Sequence, residues 1–270
     1  MTDWLPLIAA MLATGAVGGI LAGLLGIGGG IVIVPVLDTV LAALDVDPSI
    51  RMHVAVATSL ATIVPTSISS SRAHYRREAV DVALVRRWAL FVLLGALLGA
   101  WIAARVHSAV LSLVFASVAL VIALKLLLPA RDQVLADAVP RHPAMMLVPT
   151  GIGAVSSMMG IGGGTLSVAA LTLCNQPIHR AVGTAALVGL VISIPATLAF
   201  MWAGYGDPRL PPGSVGFVNV LGFLLIAPTT VLFAPLGAAL AHRLSQAQLR
   251  ALFGAFLLLM SLRMFWQAWI

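Results

Sequence analysis

The chain has 270 residues, of which 61% are hydrophobic and only 9% are charged, and its mean hydropathy is +1.09. A soluble domain carries about 25% charged residues, so this composition excludes a water-soluble protein and predicts an integral membrane protein. The net charge of +6 does not indicate a nucleic-acid partner, because the basic residues are spread over short loops and form no continuous face.

Ten apolar segments follow one another along the chain, separated by charges, glycines and prolines. Eight of them are long enough to cross a bilayer, which takes about 20 residues. The second and seventh are too short for an upright crossing, and we expect them to be tilted, re-entrant or half-length helices. The ten segments are 4–25, 31–44, 52–71, 87–105, 108–128, 144–160, 165–175, 179–203, 214–241 and 247–269.

The longest polar loop, 129–143, divides the segments into two blocks of five. We expect it to be a cytoplasmic linker between a first membrane repeat, 1–128, and a second, 144–270. The loop 72–87 holds five arginines and is predicted to be cytoplasmic by the positive-inside rule. If all ten segments cross, eleven of the fifteen Lys and Arg residues lie on that side, against ten if the two short segments do not. Ten crossings put an odd number in each block, so the predicted fold is an all-α membrane protein of two inverted repeats.

A glycine-rich heptapeptide occurs once in each half of the chain. The sequence LLGIGGG at 24–30 returns 134 positions later as MMGIGGG at 158–164. Glycine inside a helix is costly because it loses the most backbone freedom on folding. The two runs therefore predict broken helices, and in secondary transporters such paired interruptions mark the binding site.

A second block is repeated as well. HVAVATS at 53–59 aligns with HRAVGTA at 179–185, and Ser67 then aligns with Ser193. Together, G-x-G-G-G followed by apolar residues ending in Pro35, and then the AVATS block, resemble the TauE/SafE family of sulfite exporters and related anion permeases over nearly the whole chain. The resemblance implies a transporter of sulfite, organosulfonates or similar small anions in the cytoplasmic (inner) membrane of a bacterium.

The glycine runs are the first candidate substrate site. After such a break, the next helix begins with unpaired N–H groups and about half a positive charge. This arrangement binds an anion without a buried Lys or Arg. Close helix packing by small residues is the alternative reason for the runs. The residues predicted to face one another across the repeat interface are Gly28, Gly29, Gly30, Gly162, Gly163 and Gly164.

Hydroxyl groups form the second candidate set for substrate binding. Thr58, Ser59 and Thr184 lie about two turns into their segments, where they could donate to the oxygens of sulfite or a sulfonate without adding a fixed charge. The alternative is hydrogen bonding to the carbonyl of the preceding helical turn.

Five ionisable residues are candidates for ion coupling or for drawing anions into the mouth of the protein. His53 and His179 are paired by the repeat and histidine titrates near neutral pH, although a polar ring at the membrane interface needs no functional reason. Arg51 and Arg180 lie close to them in sequence. Asp38 is the only acid inside an apolar segment, which makes it the candidate for proton coupling, although its distance from the break places it close to the headgroups.

The sequence therefore predicts a secondary transporter (permease) of small sulfur-containing anions that binds its substrate near the membrane midplane. An anion channel built from the same half-helices and a carrier of small carboxylates are the alternatives. We predict no enzyme activity, no cofactor and no metal, since no Walker loop, HExxH or G-x-S-x-G motif occurs. The predicted partners are the small anion and the lipid bilayer, and the sequence leaves open whether the chain forms a homo-oligomer.

Overall fold

The computed structural model describes residues 4–25, 29–128, 146–241 and 245–269, over which the chain is almost entirely helical. The prediction of an all-α protein is confirmed. The elements in chain order are α1 (Trp4–Leu25), α2 (Gly30–Ala43), α3 (Pro48–Tyr75), α4 (Val82–Ala103), α5 (Ser108–Leu127), α6 (Leu147–Met159), α7 (Gly164–Leu173), α8 (Ile178–Ala203), β1 (Ser214–Val215), β2 (Val218–Asn219), α9 (Val220–Ala241) and α10 (Gln246–Trp269). Four of the described helices, α3, α4, α5 and α8, are each long and apolar enough to cross a membrane.

Most predicted segments have shifted ends in the structure, and α3 and α6 show why. α3 begins four residues earlier than predicted, because Pro48 fits its first position and Asp47 caps it by accepting a hydrogen bond from the Ser49 N–H at 2.8 Å. α6 has only 13 residues and ends where Gly160 turns left-handed, with φ 70°. As a result, seven of the described helices, and not eight, reach 20 residues.

The prediction of one continuous apolar helix over 214–241 is wrong at its beginning. Ser214 and Val215 pair antiparallel with Asn219 and Val218, and α9 starts only after this small hairpin. Gly216 lies in the turn with a φ of 55°, a conformation that glycine adopts easily and that two-residue hairpin turns require.

The helices α1–α5 of the first half correspond in order to α6–α10 of the second half. A contact between two helices recurs between their two counterparts. α1 packs along α9, and its counterpart α6 packs along α4. α3 packs against its own counterpart α8, and α5 packs against its counterpart α10. Each half therefore buries its apolar surface against the other half.

The counterpart helices α3 and α8 run antiparallel. The end of α3 meets the beginning of α8, where a Cβ on Gly183 would lie 3.1 Å from the Cβ of His74. At the other end, the ring of His53 stacks on Phe217 with 5.0 Å between centroids, and Phe217 contacts Phe200 near the end of α8. Inverted repeats are related by a two-fold axis in the membrane plane, and their counterpart helices are antiparallel. Repeats related by an axis along the membrane normal would have parallel counterpart helices.

Basic residues are divided between the two ends of the bundle. The basic end, where α3 ends and α8 begins, holds Arg72, Arg76 and Arg77, and Arg180 pairs there with Asp81 at 3.0 Å. The described arginines lie at the ends to which the count with ten crossings assigns them. The predicted linker 129–143 lies outside the described residues. The opposite end holds four arginines in the described part of the chain, Arg51, Arg105, Arg209 and Arg263.

Candidate functional site

The two helix breaks lie against each other in the interior of the bundle. Gly29 and Gly163 cap α2 and α7 in the left-handed region, with φ 72° and 74°, which only glycine adopts without strain. A Cβ on Gly30 would lie 2.7 Å from the carbonyl oxygen of Gly160 and 2.9 Å from the Cα of Ile161. The backbones of the two breaks are therefore in contact, and no side chain fits between them.

Each break starts a short helix. α2 has 14 residues and α7 has 10, which is about 21 and 15 Å at 1.5 Å per residue, against a hydrocarbon core of about 30 Å. The first hydrogen bond of α7 runs from the Ser167 N–H to the Gly163 carbonyl at 2.8 Å. The N–H groups of Gly164, Thr165 and Leu166 consequently have no intrahelical acceptor and point toward the break. Gly28 of the first run lies outside the described residues.

A cavity of about 40 Å³ lies beside the second break, which is room for roughly three water molecules. Ser70 of α3 and Val182 of α8 place it on the side of the basic end, because α3 runs toward that end and α8 runs away from it. No ionisable side chain lines the cavity in the part of the chain that the structure describes. Its lining includes Ile63, Ser67, Ser70, Gly162, Gly164 and Gly189.

Two serines of α3 supply free hydroxyls to this cavity. Ser67 is only 8% exposed, and neither its Oγ nor that of Ser70 has a hydrogen-bond partner among the described residues. Thr66 also lines the cavity, but its hydroxyl donates to the carbonyls of Thr62 and Ile63 at 3.1 and 3.0 Å. The sequence motifs predict neither Ser67 nor Ser70 as a site residue. The run TSISSS at 66–71, rich in hydroxyls inside an apolar helix, is the pattern that could have indicated them.

The first half has larger side chains at two positions that correspond to the cavity wall. The repeat aligns Gly189, on the cavity wall, with Ile63, whose Cδ1 would lie 2.7 Å from a Cβ on Gly30. In the same way it aligns the cavity residue Ala186 with Leu60, which is fully buried. The two halves therefore differ in side-chain size at these positions, and the small residues are on the side that has the cavity.

Thr58 and Thr184 hold equivalent positions and make equivalent contacts. The Thr58 hydroxyl accepts a hydrogen bond from the Asn219 N–H at 3.0 Å, just before α9. The Thr184 hydroxyl accepts one from the Asp81 N–H at 3.0 Å, just before α4, which is the counterpart of α9. Each thus holds the residue that precedes a helix of the other half, and neither lines the cavity.

Ser59 is also engaged within the protein. Its hydroxyl donates to the carbonyl oxygen of Gly160 at 2.8 Å, which ties the middle of α3 to the end of α6. The partner position in the repeat is Ala185, which lines the cavity and has no hydroxyl. To donate to a substrate, Ser59 would have to give up the Gly160 carbonyl, whereas Thr58 and Thr184 use their hydroxyl oxygens only as acceptors in these contacts.

Three further buried hydroxyls have no hydrogen-bond partner among the described residues, and one of them lies close to Gly163. Ser156, Ser167 and Ser193 are fully buried, and no described group hydrogen bonds to their Oγ atoms. The Oγ of Ser156 would lie 3.4 Å from a Cβ on Gly163. Leaving a buried hydroxyl unpaired costs about 1–3 kcal/mol, so the second break is a polar site whose hydrogen-bonding capacity is not used by the protein itself.

The paired histidines lie in different surroundings. His53 is 4% exposed, and its Nε2 faces the carbonyl oxygens of Ala103 and Val106 at 3.0 and 3.1 Å. Because both neighbours are acceptors, Nε2 carries a proton in this network. His179 is exposed at the basic end. The structure therefore gives His53 a capping contact at the end of α4 and places His179 where solvent reaches it.

The charged candidates are ion-paired at opposite ends. The Nε of Arg51 donates to Asp38 at 3.0 Å, and the Asp38 side chain is 4% exposed. Arg263 donates to the hydroxyl of the neighbouring Thr39. Arg180 pairs with Asp81 on the other side of the bundle. None of these residues lines the cavity, so any contribution to transport would act at its approaches. Over the described ranges no group of His, Cys, Asp and Glu could hold a metal ion.

Comparison with known proteins points to one family. The family model described as "Sulfite exporter TauE/SafE" matches residues 11–264. A protein described as "Probable membrane transporter protein" from Haemophilus influenzae is 34% identical over 259 residues, which covers 96% of this chain and 98% of that protein. A protein of the same description from Methanocaldococcus jannaschii is 24% identical over 269 residues, with 97% of each chain covered. No solved structure matches the chain.

Proposed function

The chain belongs to the TauE/SafE family and is a multi-pass membrane transporter, and from this premise we propose that it is a secondary transporter of sulfite or small organosulfonates. The membrane that it spans is, in this proposal, the cytoplasmic membrane of a bacterium. The substrate binds at the second glycine break, between the two halves of the protein.

The observation that carries this proposal is the cavity at the start of α7. The unpaired hydroxyls of Ser67 and Ser70 line a space of about 40 Å³, and so does Gly164, where α7 begins with N–H groups that have no intrahelical acceptor. Hydrogen-bond donors at a helix N-terminus form an anion site, and the helix dipole favours negative charge there. The volume suits a small oxyanion and not a large organic one.

Alternating access follows from the difference between the two breaks. The cavity lies on the side of the basic end, which the arginines assign to the cytoplasm, while the first half has Leu60 where the second has the cavity residue Ala186. We propose that the repeats are inverted and that one bundle rocks against the other to exchange these two arrangements. The antiparallel contact of α3 with α8 supports this arrangement.

The first glycine run has a supporting role in this proposal. Gly29 and Gly30 bring the start of α2 into contact with Gly160 and Ile161, so the positive ends of both half-helices act on the same region. Gly28 belongs to the same run, and its proposed role is substrate binding together with Gly29 and Gly30. Gly162 and Gly164 line the cavity in the arrangement seen here, and Gly163 between them caps α7.

The test is anion binding and flux with serine variants. In purified protein, Ser67→Ala and Ser70→Ala should each weaken sulfite binding about tenfold, because a hydrogen bond to a charged group contributes about 1.5–3 kcal/mol. Ser69→Ala is the matched control, since Ser69 is exposed and lines a separate concavity on another face of α3. Unchanged sulfite affinity in both folded cavity variants would contradict the proposed site.

Flux in liposomes separates the alternatives. A carrier gives saturable exchange of labelled sulfite that unlabelled sulfite inhibits, whereas a channel gives rapid flux that does not saturate. Acetate serves as the competitor for the carboxylate alternative. Inhibition by sulfite but not by acetate is expected, and the reverse order would assign the protein to carboxylates.

A further inference from the structure

The cavity at the second break has positive potential but no positive side chain. None of the residues that line it is ionisable. Arg72, the nearest arginine along α3, lines two other concavities together with Arg76. One of them also includes Pro65 and Ser69, on another face of the helix. The attraction for an anion therefore comes from neutral donors and from the N-terminus of α7, which is equivalent to about half an elementary charge.

We infer that this cavity selects anions with a single negative charge. Hydrogensulfite and monovalent sulfonates are the species bound, and the sulfite and sulfate dianions are excluded. The inference rests on the proposed function, because it concerns the same cavity, and it assigns the protonation state of the substrate.

The balance of two electrostatic energies leads to this selection. The cost of removing an ion from water grows with the square of its charge, so a dianion loses about four times as much hydration energy as a monoanion. Its attraction to a fixed dipole grows only in proportion to the charge and is about twice as large. A site with a lysine or arginine could supply the difference, but this cavity has neither among its lining residues.

The kind of donor agrees with a single charge. The donors beside the cavity are neutral, namely the hydroxyls of Ser67 and Ser70 and the backbone N–H groups at the start of α7, where Gly164 lines the cavity. The other lining residues on α7 and α8 include the apolar Val168 and Ala186 and offer no donor side chain. A small monoanion with three oxygens can be satisfied by such a set, whereas a dianion would leave part of its charge against apolar surface.

Binding of three anions to the wild-type protein tests the inference. Methanesulfonate is a monoanion at every pH near neutrality, sulfate is a dianion, and sulfite changes from monoanion to dianion in that range. The affinity for methanesulfonate should stay constant with pH. The apparent Kd for total sulfite should rise about tenfold per pH unit on the alkaline side, as the binding-competent fraction falls. Sulfate should bind at least about 100-fold more weakly than methanesulfonate.

The outcomes distinguish the inference from the proposal beneath it. Sulfate that binds as well as methanesulfonate, or sulfite affinity that does not fall with rising pH, overturns the charge selection and leaves the proposed transport of sulfur oxyanions standing. Absence of binding for both sulfite and methanesulfonate at every pH overturns the proposed function itself. A pH effect on methanesulfonate would assign the titration to the protein and also overturn the inference.

A charge placed in the cavity provides a second test. Ser70→Lys should raise sulfate affinity at least about tenfold, because the new ammonium compensates the second negative charge. Ser69→Lys puts the same charge on the exposed face and should leave the sulfate affinity unchanged. Thermal unfolding shows whether both variants are folded. A folded Ser70→Lys protein with no gain in sulfate affinity would contradict the selection by charge.

Discussion

Thr58 holds the start of α9, because its hydroxyl accepts the backbone N–H of Asn219 at 3.0 Å. The Asn219 side chain in turn accepts the N–H of Gly222 at 2.7 Å and so caps the helix. The other half contains the same arrangement, in which Thr184 accepts the N–H of Asp81 and the Asp81 carboxylate caps α4 at Leu84. The repeated threonine is therefore a joint between the halves, and this gives it a structural reason to be repeated.

Replacing Thr58 with valine should destabilise the protein. Valine has nearly the same shape but cannot accept the Asn219 N–H, and a buried donor without a partner costs about 1–3 kcal/mol. Thr58→Ser retains the hydroxyl oxygen and should restore most of this energy. Thermal unfolding in detergent measures both changes. A Thr58→Val protein with unchanged stability but no sulfite binding would instead assign Thr58 to the substrate site.

Replacing Gly163 with alanine should reduce both stability and anion affinity. At φ 74° an alanine is strained by about 1–2 kcal/mol, and its Cβ would also press on the side chain of Ile192 and shift the start of α7. Gly29→Ala is expected to act similarly, since its φ is 72°. The matched control is Gly151→Ala in α6, where a Cβ would meet nothing within 4 Å. That change should be neutral or stabilising by up to about 1 kcal/mol, and an equal loss of affinity in it would refute the site-specific effect.

Asp38 and Arg51 should show a favourable coupling energy in a double-mutant cycle. Asp38 is 3% exposed, so Arg51→Gln leaves a buried charge without its partner and should cost about 3–5 kcal/mol. The double change Asp38→Asn with Arg51→Gln removes both charges and should cost less. Unfolding temperatures of the two single variants and the double variant give the coupling energy. Additive losses of unfolding temperature would show that the ion pair itself contributes nothing to stability. The pH dependence of flux would then test the proton-coupling hypothesis for Asp38.

The loop before the hairpin should loosen in acid. Arg209 donates to Asp207 at 2.9 and 2.6 Å, and these hydrogen bonds hold the pKa of Asp207 below its ordinary value of 3.8. The contact therefore stabilises the folded loop above about pH 4 and is lost as the pH falls through the lowered pKa. Hydrogen exchange over residues 205–215, corrected for the intrinsic rate, measures this change. Asp207→Asn should exchange faster at neutral pH and lose the acid dependence, and identical exchange in both proteins would contradict this role.

The sequence predicted the helices well because their signals are local. Apolar run length, arginine clusters and glycine breaks act on neighbouring residues, and nine of the ten predicted segments correspond to a helix with ends shifted by a few residues. The tenth, 214–241, contains the hairpin, whose pairing of Ser214 with Asn219 is not visible in hydropathy. Capping by Asp47 likewise extended α3 beyond its apolar run.

Much of the candidate site could not be predicted in this way. The sequence indicated the glycine breaks correctly as interruptions, since glycine is costly in a helix wherever it occurs. It could not indicate which hydroxyls are free, because that depends on partners far away in the chain. Thr58 is engaged by Asn219, 161 positions later, whereas Ser67 has no partner and faces the cavity.

By itself, then, the sequence determined that this is an all-α membrane protein, where its helices break, and which end of the bundle is basic. The tertiary structure alone decided that a cavity lies beside the second break. The reason is steric: Gly189 leaves space between α3, α7 and α8, while its counterpart Ile63 fills the equivalent position against Gly30. Such a difference arises only when three helices distant in sequence meet, so no single segment contains it.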